Sequence, residues 1–170
     1  MIEIQAVFWL LVLLFAIIGA FRGASKELLV TTALILFLFI NSLLAENIFT
    51  SITQSGEASA FRILFWVRTG LVAGLTLAGY QIPDTASKFK TRVAGSERVD
   101  KITGFIIGGL NAYLLWGTLW YFLIEVSQNV PDFIGTSTFT SDKAARLIEI
   151  LPPGWLQGGW LTAVVVFMFV

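Results

Sequence analysis

The sequence predicts an all-α polytopic membrane protein: four transmembrane helices, an amphipathic C-terminal helix and a short apolar C-terminal segment. Three observations carry this expectation. Of 170 residues, 56% are hydrophobic and 13% are charged, against roughly 25% charged in an ordinary soluble domain. The mean hydropathy is +0.83, with 15 Phe and 6 Trp. Apolar runs near the roughly 20 residues that a spanning helix needs occur four times. They fall at about 4–21, 28–44, 61–82 and 104–124. The length suits one membrane domain over 1–170, with 125–170 as a tail.

The first span contains "VFWLLVLLFAIIGAF" and no charge. Its flank, "MIEIQ", holds an acid where a secretory signal has a basic cluster, and the apolar run exceeds a signal's apolar region. It is therefore expected to stay as a retained helix. The second span, "LLVTTALILFLFINSLL", has Thr31, Thr32, Asn41 and Ser42 as its only polar groups. A polar connection, Ala45–Ala60, follows. The third span contains Arg62 and Arg68. The fourth is "GFIIGGLNAYLLWGTLWYFLI". In the tail, "SDKAARLIEIL" places Ala144, Leu147, Ile148 and Leu151 on one stripe, with Ser141 as N-cap and Pro152 and Pro153 as a stop. Such a helix belongs in the membrane interface or against its neighbours. The segment Trp155–Val170 is short for a span and broken by Gln157, Gly158 and Gly159. A packed or re-entrant segment is the favoured reading, with a fifth span, or a longer native chain cut here, as the alternatives.

Lys and Arg set the orientation. Arg22 and Lys26 lie in the first connection, and Lys88, Lys90, Arg92, Arg98 and Lys101 in the third, so seven of the 11 basic residues share one side. The second connection has none. Both termini are expected outside, with the first and third connections in the cytoplasm.

The chemistry available is narrow. There is no Cys and no His, and acids balance bases at 11 each. Thiol nucleophiles, disulfides, His-based triads and His-ligated cofactors are excluded. No basic run with interleaved aromatics suggests nucleic acid. The carboxylates are scattered, so neither a catalytic constellation, a metal site nor a cofactor is predicted. Glu97 and Asp100 sit beside Arg98 and Lys101 at the start of span four, where acids favour the helix dipole.

Small residues recur every four positions: Gly19 and Gly23; Gly70, Gly74 and Ala78; Gly104, Gly108 and Ala112. This spacing lets helix backbones approach closely. The plain reading is packing within one subunit, with spans three and four meeting through their stripes; self-association is the alternative. Arg68 lies roughly 10 Å along span three at 1.5 Å per residue. An intramembrane Arg needs a partner, water or the interface, and Glu46 and Glu125 emerge on its side. It is either a structural ion pair or a group that binds a lipid headgroup, an anion or a partner. Asn111, mid-way along span four, is read first as an interhelical hydrogen bond and second as a pore or substrate contact.

Two stretches together resemble the colicin V production protein family of small bacterial inner-membrane proteins. Its first hairpin carries G-x-x-R-G-x-x-R-E; here Gly19, Arg22, Gly23, Lys26 and Glu27 match, with Lys for the second Arg. Before the fourth span the family tends to D-R-x-x-G-x-x-x-G-x-x-R-G. Asp100, Gly104 and Gly108 match, Lys101 replaces Arg, and Asn111–Ala112 replace Arg-Gly. The resemblance implies an envelope protein tied to colicin V production or export, with no accepted reaction or catalytic residues. The leading expectation is a non-enzymatic protein assisting secretion or envelope maintenance through lipid and protein contacts. An accessory subunit of a respiratory, photosynthetic or transport assembly is the second, and an oligomeric channel or transporter the third. The opening hairpin is read as a topology determinant, with Glu27 at the positive end of span two.

Overall fold

A computed structural model of the chain describes residues 4–54, 56–81, 96–130, 133, 150–156 and 159–169. These are helical almost throughout, with no strand among them. Helix α1 is Ile4–Arg22 and α2 is Ala24–Leu44. A π turn, Ala45–Phe49, continues α2 into a single α-helical turn, α3, Thr50–Thr53. Helix α4 is Ala58–Gln81 and α5 is Glu97–Asn129. Two short helices close the described chain: α6, Pro152–Trp155, and α7, Gly159–Phe169.

Helices α1, α2, α4 and α5 are long and apolar enough to cross a membrane. Their surfaces agree with a lipid solvent. Phe21 is 84% exposed and Leu10 64%, a pattern that water would penalise and acyl chains do not. The helices outrun the apolar runs because a helix does not end where hydropathy does. Helix α2 begins at Ala24, before the expected 28, and α5 at Glu97, before the expected 104. The additional residues, such as Lys26, Glu27, Glu97 and Lys101, are good helix formers. The expected polar connection Ala45–Ala60 is likewise mostly helical.

The prolines do more than stop a helix. Leu151 is extended at φ −74°, ψ 143°, as the residue before a proline prefers, and Pro152 and Pro153 open α6. Helix α7 has 11 residues, about 17 Å, short of the ~30 Å hydrocarbon core. The amphipathic stretch 141–149 and the basic residues Lys88, Lys90 and Arg92 lie outside the described residues.

Contacts divide the chain into two compact units, 1–34 with 74–116 and 35–73 with 117–170. In the first, Phe8, Val30 and Ala112 are wholly buried. Helices α1 and α5 touch through glycine. A Cβ on Gly108 would lie 2.7 Å from the Phe15 carbonyl oxygen and 2.9 Å from Gly19 Cα, and one on Gly104 would meet the Gly19 carbonyl. Only hydrogen fits there. The second unit is built on Phe37, Leu38, Leu64, Phe122, Val126 and Leu151, with Phe37 and Phe122 edge-to-face at 6.2 Å. A Cβ on Gly117 would lie 2.6 Å from Pro152 Cδ, so α6 lies close on α5.

The expected meeting of spans three and four through their stripes does not occur. Gly104 and Gly108 face α1, whereas a Cβ on Gly70 or Gly74 meets open space and Ala78 is exposed. Helix α4 instead approaches α2 through Gly79, one residue beyond the stripe, whose Cβ would lie 3.3 Å from Val30 Cα. Four-residue spacing makes a smooth face, but it does not say which helix covers it.

Candidate functional site

Two clusters of polar side chains lie within the spanning helices, one in each unit. They differ in whether their polar atoms are satisfied.

The first cluster is built around Glu27, which is 1% exposed. The link between α1 and α2 is a single residue, Gly23, at φ +84°, a conformation that glycine adopts at no steric cost. This sharp reversal sets Arg22 beside Glu27, with Nη1 donating to Oε1 at 3.2 Å. The Arg22 guanidinium also covers the Tyr80 ring, 4.0 Å from its centroid, and Nη2 donates to the Tyr80 carbonyl at 3.4 Å. From α5, Asn111 Nδ2 donates to Glu27 Oε2 and to the Glu27 carbonyl, both at 2.9 Å. The Thr31 hydroxyl donates to Asn111 Oδ1 at 2.7 Å, with the Glu27 carbonyl as a second acceptor at 3.0 Å. Asp100 Oδ1 accepts from the Ala24 N–H at 3.0 Å, capping α2 from a distant helix. Arg22, Glu27, Thr31 and Asn111 thus bond one another, leaving no donor set aimed at a ligand. Lys101 pairs with Glu97 on the exposed face of α5 at 2.7 Å, and Lys26 is exposed.

The second cluster is built around Arg68. It lies ten residues into α4, about 15 Å along the axis, and is 6% exposed. Its Nη1 donates to Glu125 Oε2 at 2.7 Å. Glu46, the other expected partner, falls in the π turn, its side chain outside the described set. The Arg68 guanidinium lies 4.1 Å from the Phe49 ring centroid and 5.2 Å from that of Phe122. The π turn helps to place Phe49. Its wider winding closes with the Thr50 N–H bonding the Ala45 carbonyl, five residues back, and such turns cluster at functional sites.

What sets this cluster apart is what it leaves open. The Arg68 Nε–H has no acceptor and Asn41 Oδ1 no donor among the described residues, although both atoms are buried. Both residues line a cavity of about 400 Å³, with Ser42, Tyr121 and Glu125 as its other polar walls. Leu38, Ala45, Phe122, Pro153 and Leu156 complete it. Buried polar groups are ordinarily paired. The Arg68–Glu125 pair on the wall of this cavity makes it the candidate site.

The model for the colicin V production protein family matches residues 4–146. The chain belongs to that family. No curated protein and no solved structure matches it. In this colicin V production family protein, the two motif halves come together in the first unit. Gly19 meets Gly104 and Gly108, and a Cβ on Gly23 would lie 2.5 Å from Asp100 Oδ2. Their contacts join α1, α2 and α5.

Sequence reasoning named Arg22, Glu27 and Asn111 separately and did not foresee that they meet. Nothing in a single sequence pairs position 27 with position 111. Tyr121, Asn41, Ser42 and Phe49 were not singled out for the Arg68 site. Tyr121 and Asn41 lie respectively four residues before Glu125 and four before Ala45. That spacing shows a shared helix face, but not that the two faces meet.

Proposed function

We propose that this colicin V production family protein is a non-enzymatic protein of the bacterial inner membrane. It assists secretion or envelope maintenance by holding the polar headgroup of a membrane lipid in the Arg68 cavity. The observation that supports the reading is the buried Arg68, paired with the part-exposed Glu125, on the wall of a cavity of about 400 Å³. One ordered water needs only ~10–15 Å³, so the space suits a headgroup. An arginine within a spanning helix is rare and by default marks a functional site. The lack of His and Cys supports a binding role over chemistry. With both termini outside, the cavity, formed at the C-terminal ends of α2 and α5, is on the outer side.

The test is lipid analysis of the full chain purified in mild detergent. Native mass spectrometry is expected to show retained lipid on the wild type and its loss in Arg68→Gln, with helicity by circular dichroism checking the fold. Folded wild-type protein that retains no lipid overturns the reading.

A second reading, a subunit of a larger membrane assembly, is favoured by one observation. Among the described residues nothing packs on Gly70 or Gly74, and a smooth face is where another helix approaches most closely. Gly74→Leu is expected to abolish co-purification of a stoichiometric partner, or of a second copy, if this reading is right.

A further inference from the structure

We infer that the tail helix α6 makes the Arg68 cavity select an intact acyl lipid over a free headgroup of the same chemistry. This rests on the reading that the cavity holds a headgroup, and it names the part of the chain that meets the rest of the molecule. The polar walls of the cavity come from α2, α4 and α5. The segment of α6 and its C-cap contributes Pro153 and Leu156, both with apolar side chains. A cavity walled in this way is amphipathic. A soluble phosphate diester would leave the Pro153 and Leu156 surfaces against water. The first methylenes of an acyl chain would cover them, and burial of apolar surface is favourable in proportion to its area.

Two observations set this wall apart from the helices it closes on. The family model matches residues 4–146, so Pro153 and Leu156 lie beyond the stretch that the family pattern describes. The wall is also seated by shape. Pro152 stands against Gly117 of α5, where a Cβ would lie 2.6 Å from Pro152 Cδ. That carbon belongs to a closed ring, so it cannot swing aside as the end of a flexible side chain can. A proline has no N–H to donate and a glycine has no side chain, so the contact is apolar packing. Leu151 and Pro152 are buried with Pro153 and Leu156, which holds the segment down on either side of the cavity residues. Gly117 is thus the positioning residue for α6, and Leu156 is a residue that meets the acyl chain.

The test uses the full chain in mild detergent. Native mass spectrometry measures retention of dioleoyl-phosphatidylethanolamine and dioleoyl-phosphatidylglycerol. The soluble competitors are glycerophosphoethanolamine and glycerophosphoglycerol, which carry the same headgroups without acyl chains. Wild type is expected to keep its lipid against a large excess of either competitor. Leu156→Ala removes apolar wall and should lower retention by roughly tenfold. Gly117→Leu should do the same by unseating Pro152. Leu71→Ala lies on α4 away from the cavity, at a position 45% exposed. It should leave retention unchanged, which separates the cavity from the general contact of the bundle with lipid.

A second readout needs no lipid. The chain has no Cys, so Ser42→Cys places a single thiol on the cavity wall. In delipidated protein its reaction with a soluble maleimide should quicken several-fold when Gly117→Leu is added. Unchanged reactivity overturns Gly117 as the residue that seats α6. Circular dichroism checks the fold, and Leu156→Ala carries the retention test if Gly117→Leu does not fold. Leu156→Ala that keeps lipid as well as wild type overturns the role of α6 and leaves headgroup binding standing. Displacement of wild-type lipid by the soluble diesters assigns the source to a free solute and overturns the acyl preference. Folded wild type that retains no lipid overturns both.

Discussion

Replacing Asn111 by Ala tests whether the Glu27 cluster is the desolvated network that its geometry describes. Asn111 is 1% exposed and so is Glu27. The substitution removes two donated bonds of 2.9 Å, one to Glu27 Oε2 and one to the Glu27 carbonyl. It also removes the 2.7 Å acceptor for Thr31. The Thr31 hydroxyl keeps the Glu27 carbonyl at 3.0 Å, so its loss is largely offset. The bond to Oε2 is the term that matters. A hydrogen bond to a charged group contributes about 1.5–3 kcal/mol, whereas interhelical hydrogen bonds in membranes average about 0.6 kcal/mol. Adding a small cavity, the expected loss is about 2–4 kcal/mol. The assay is reversible unfolding in mixed micelles titrated with denaturing detergent. The control is Leu110→Ala, the neighbouring position, which is 45% exposed and should cost below about 1 kcal/mol in lipid-like surroundings. A double-mutant cycle with Glu27→Leu should show that most of the Asn111 effect disappears once the carboxylate is gone. An Asn111→Ala loss no larger than the Leu110→Ala loss would refute the reasoning, because water would then be reaching Glu27.

Three further expectations concern packing, capping and topology. Gly108→Ala puts a methyl 2.7 Å from the Phe15 carbonyl oxygen and should destabilise by about 1–3 kcal/mol. Gly74→Ala meets open space and should be neutral or stabilising by up to ~1 kcal/mol through helix propensity; the same micelle titration ranks them. Asp100→Ala removes the oxygen that caps Ala24 N–H and should cost about 0.5–2 kcal/mol, with Asp100→Asn closer to wild type. The chain has no Cys, so a single cysteine reports its own side alone. Ser51→Cys is expected to react with an impermeant maleimide on intact cells and Glu97→Cys only after permeabilisation; the opposite pattern reverses the proposed orientation.

The four spans were readable because membrane helices announce themselves by length and apolarity, and α1 begins and ends within a residue of its apolar run. Helix ends were not readable by the same signal. Hydropathy falls at Lys101, while the backbone stays helical back to Glu97. Arg68 could be singled out because a charge among apolar residues is conspicuous in one dimension. Its partner could be narrowed only to two acids, since both leave the membrane on the same side. Glu27 does stand in the first turn of α2, but its burial was not legible. At the first turn of a helix an acid is read as a dipole partner, and only the reversal at Gly23, together with Asn111 of α5, makes it a buried centre. The glycines carried the same ambiguity. Their spacing was plain, but only the structure separates Gly104 and Gly108, which are sterically required, from Gly70 and Gly74, which are not.

The division between the two clusters bears on where function resides in this family member. Most of the family motif residues meet at the join: Gly19 lies against Gly104 and Gly108, Asp100 against Gly23 and the Ala24 N–H, and Arg22 bonds Glu27, whereas Lys26 and Lys101 are exposed. A motif whose groups are consumed in this way specifies how three helices join. The family pattern carries Arg at position 111, where this chain has Asn. Here Arg22 is the cation beside Glu27, and Asn111 supplies the neutral bond to the other carboxylate oxygen. Asn111 therefore works as part of the join. Arg68, Glu125 and Asn41 lie outside the motif, and they line a cavity. If the motif holds the helices and the open cluster binds, the two should separate by experiment. Glu27→Gln should lower stability with lipid retention kept in the surviving fold, and Asn41→Leu, which removes a buried acceptor with no donor among the described residues, should lower lipid retention at nearly unchanged stability. Coincident loss of both properties in both variants would show that binding and folding are not separable in this chain.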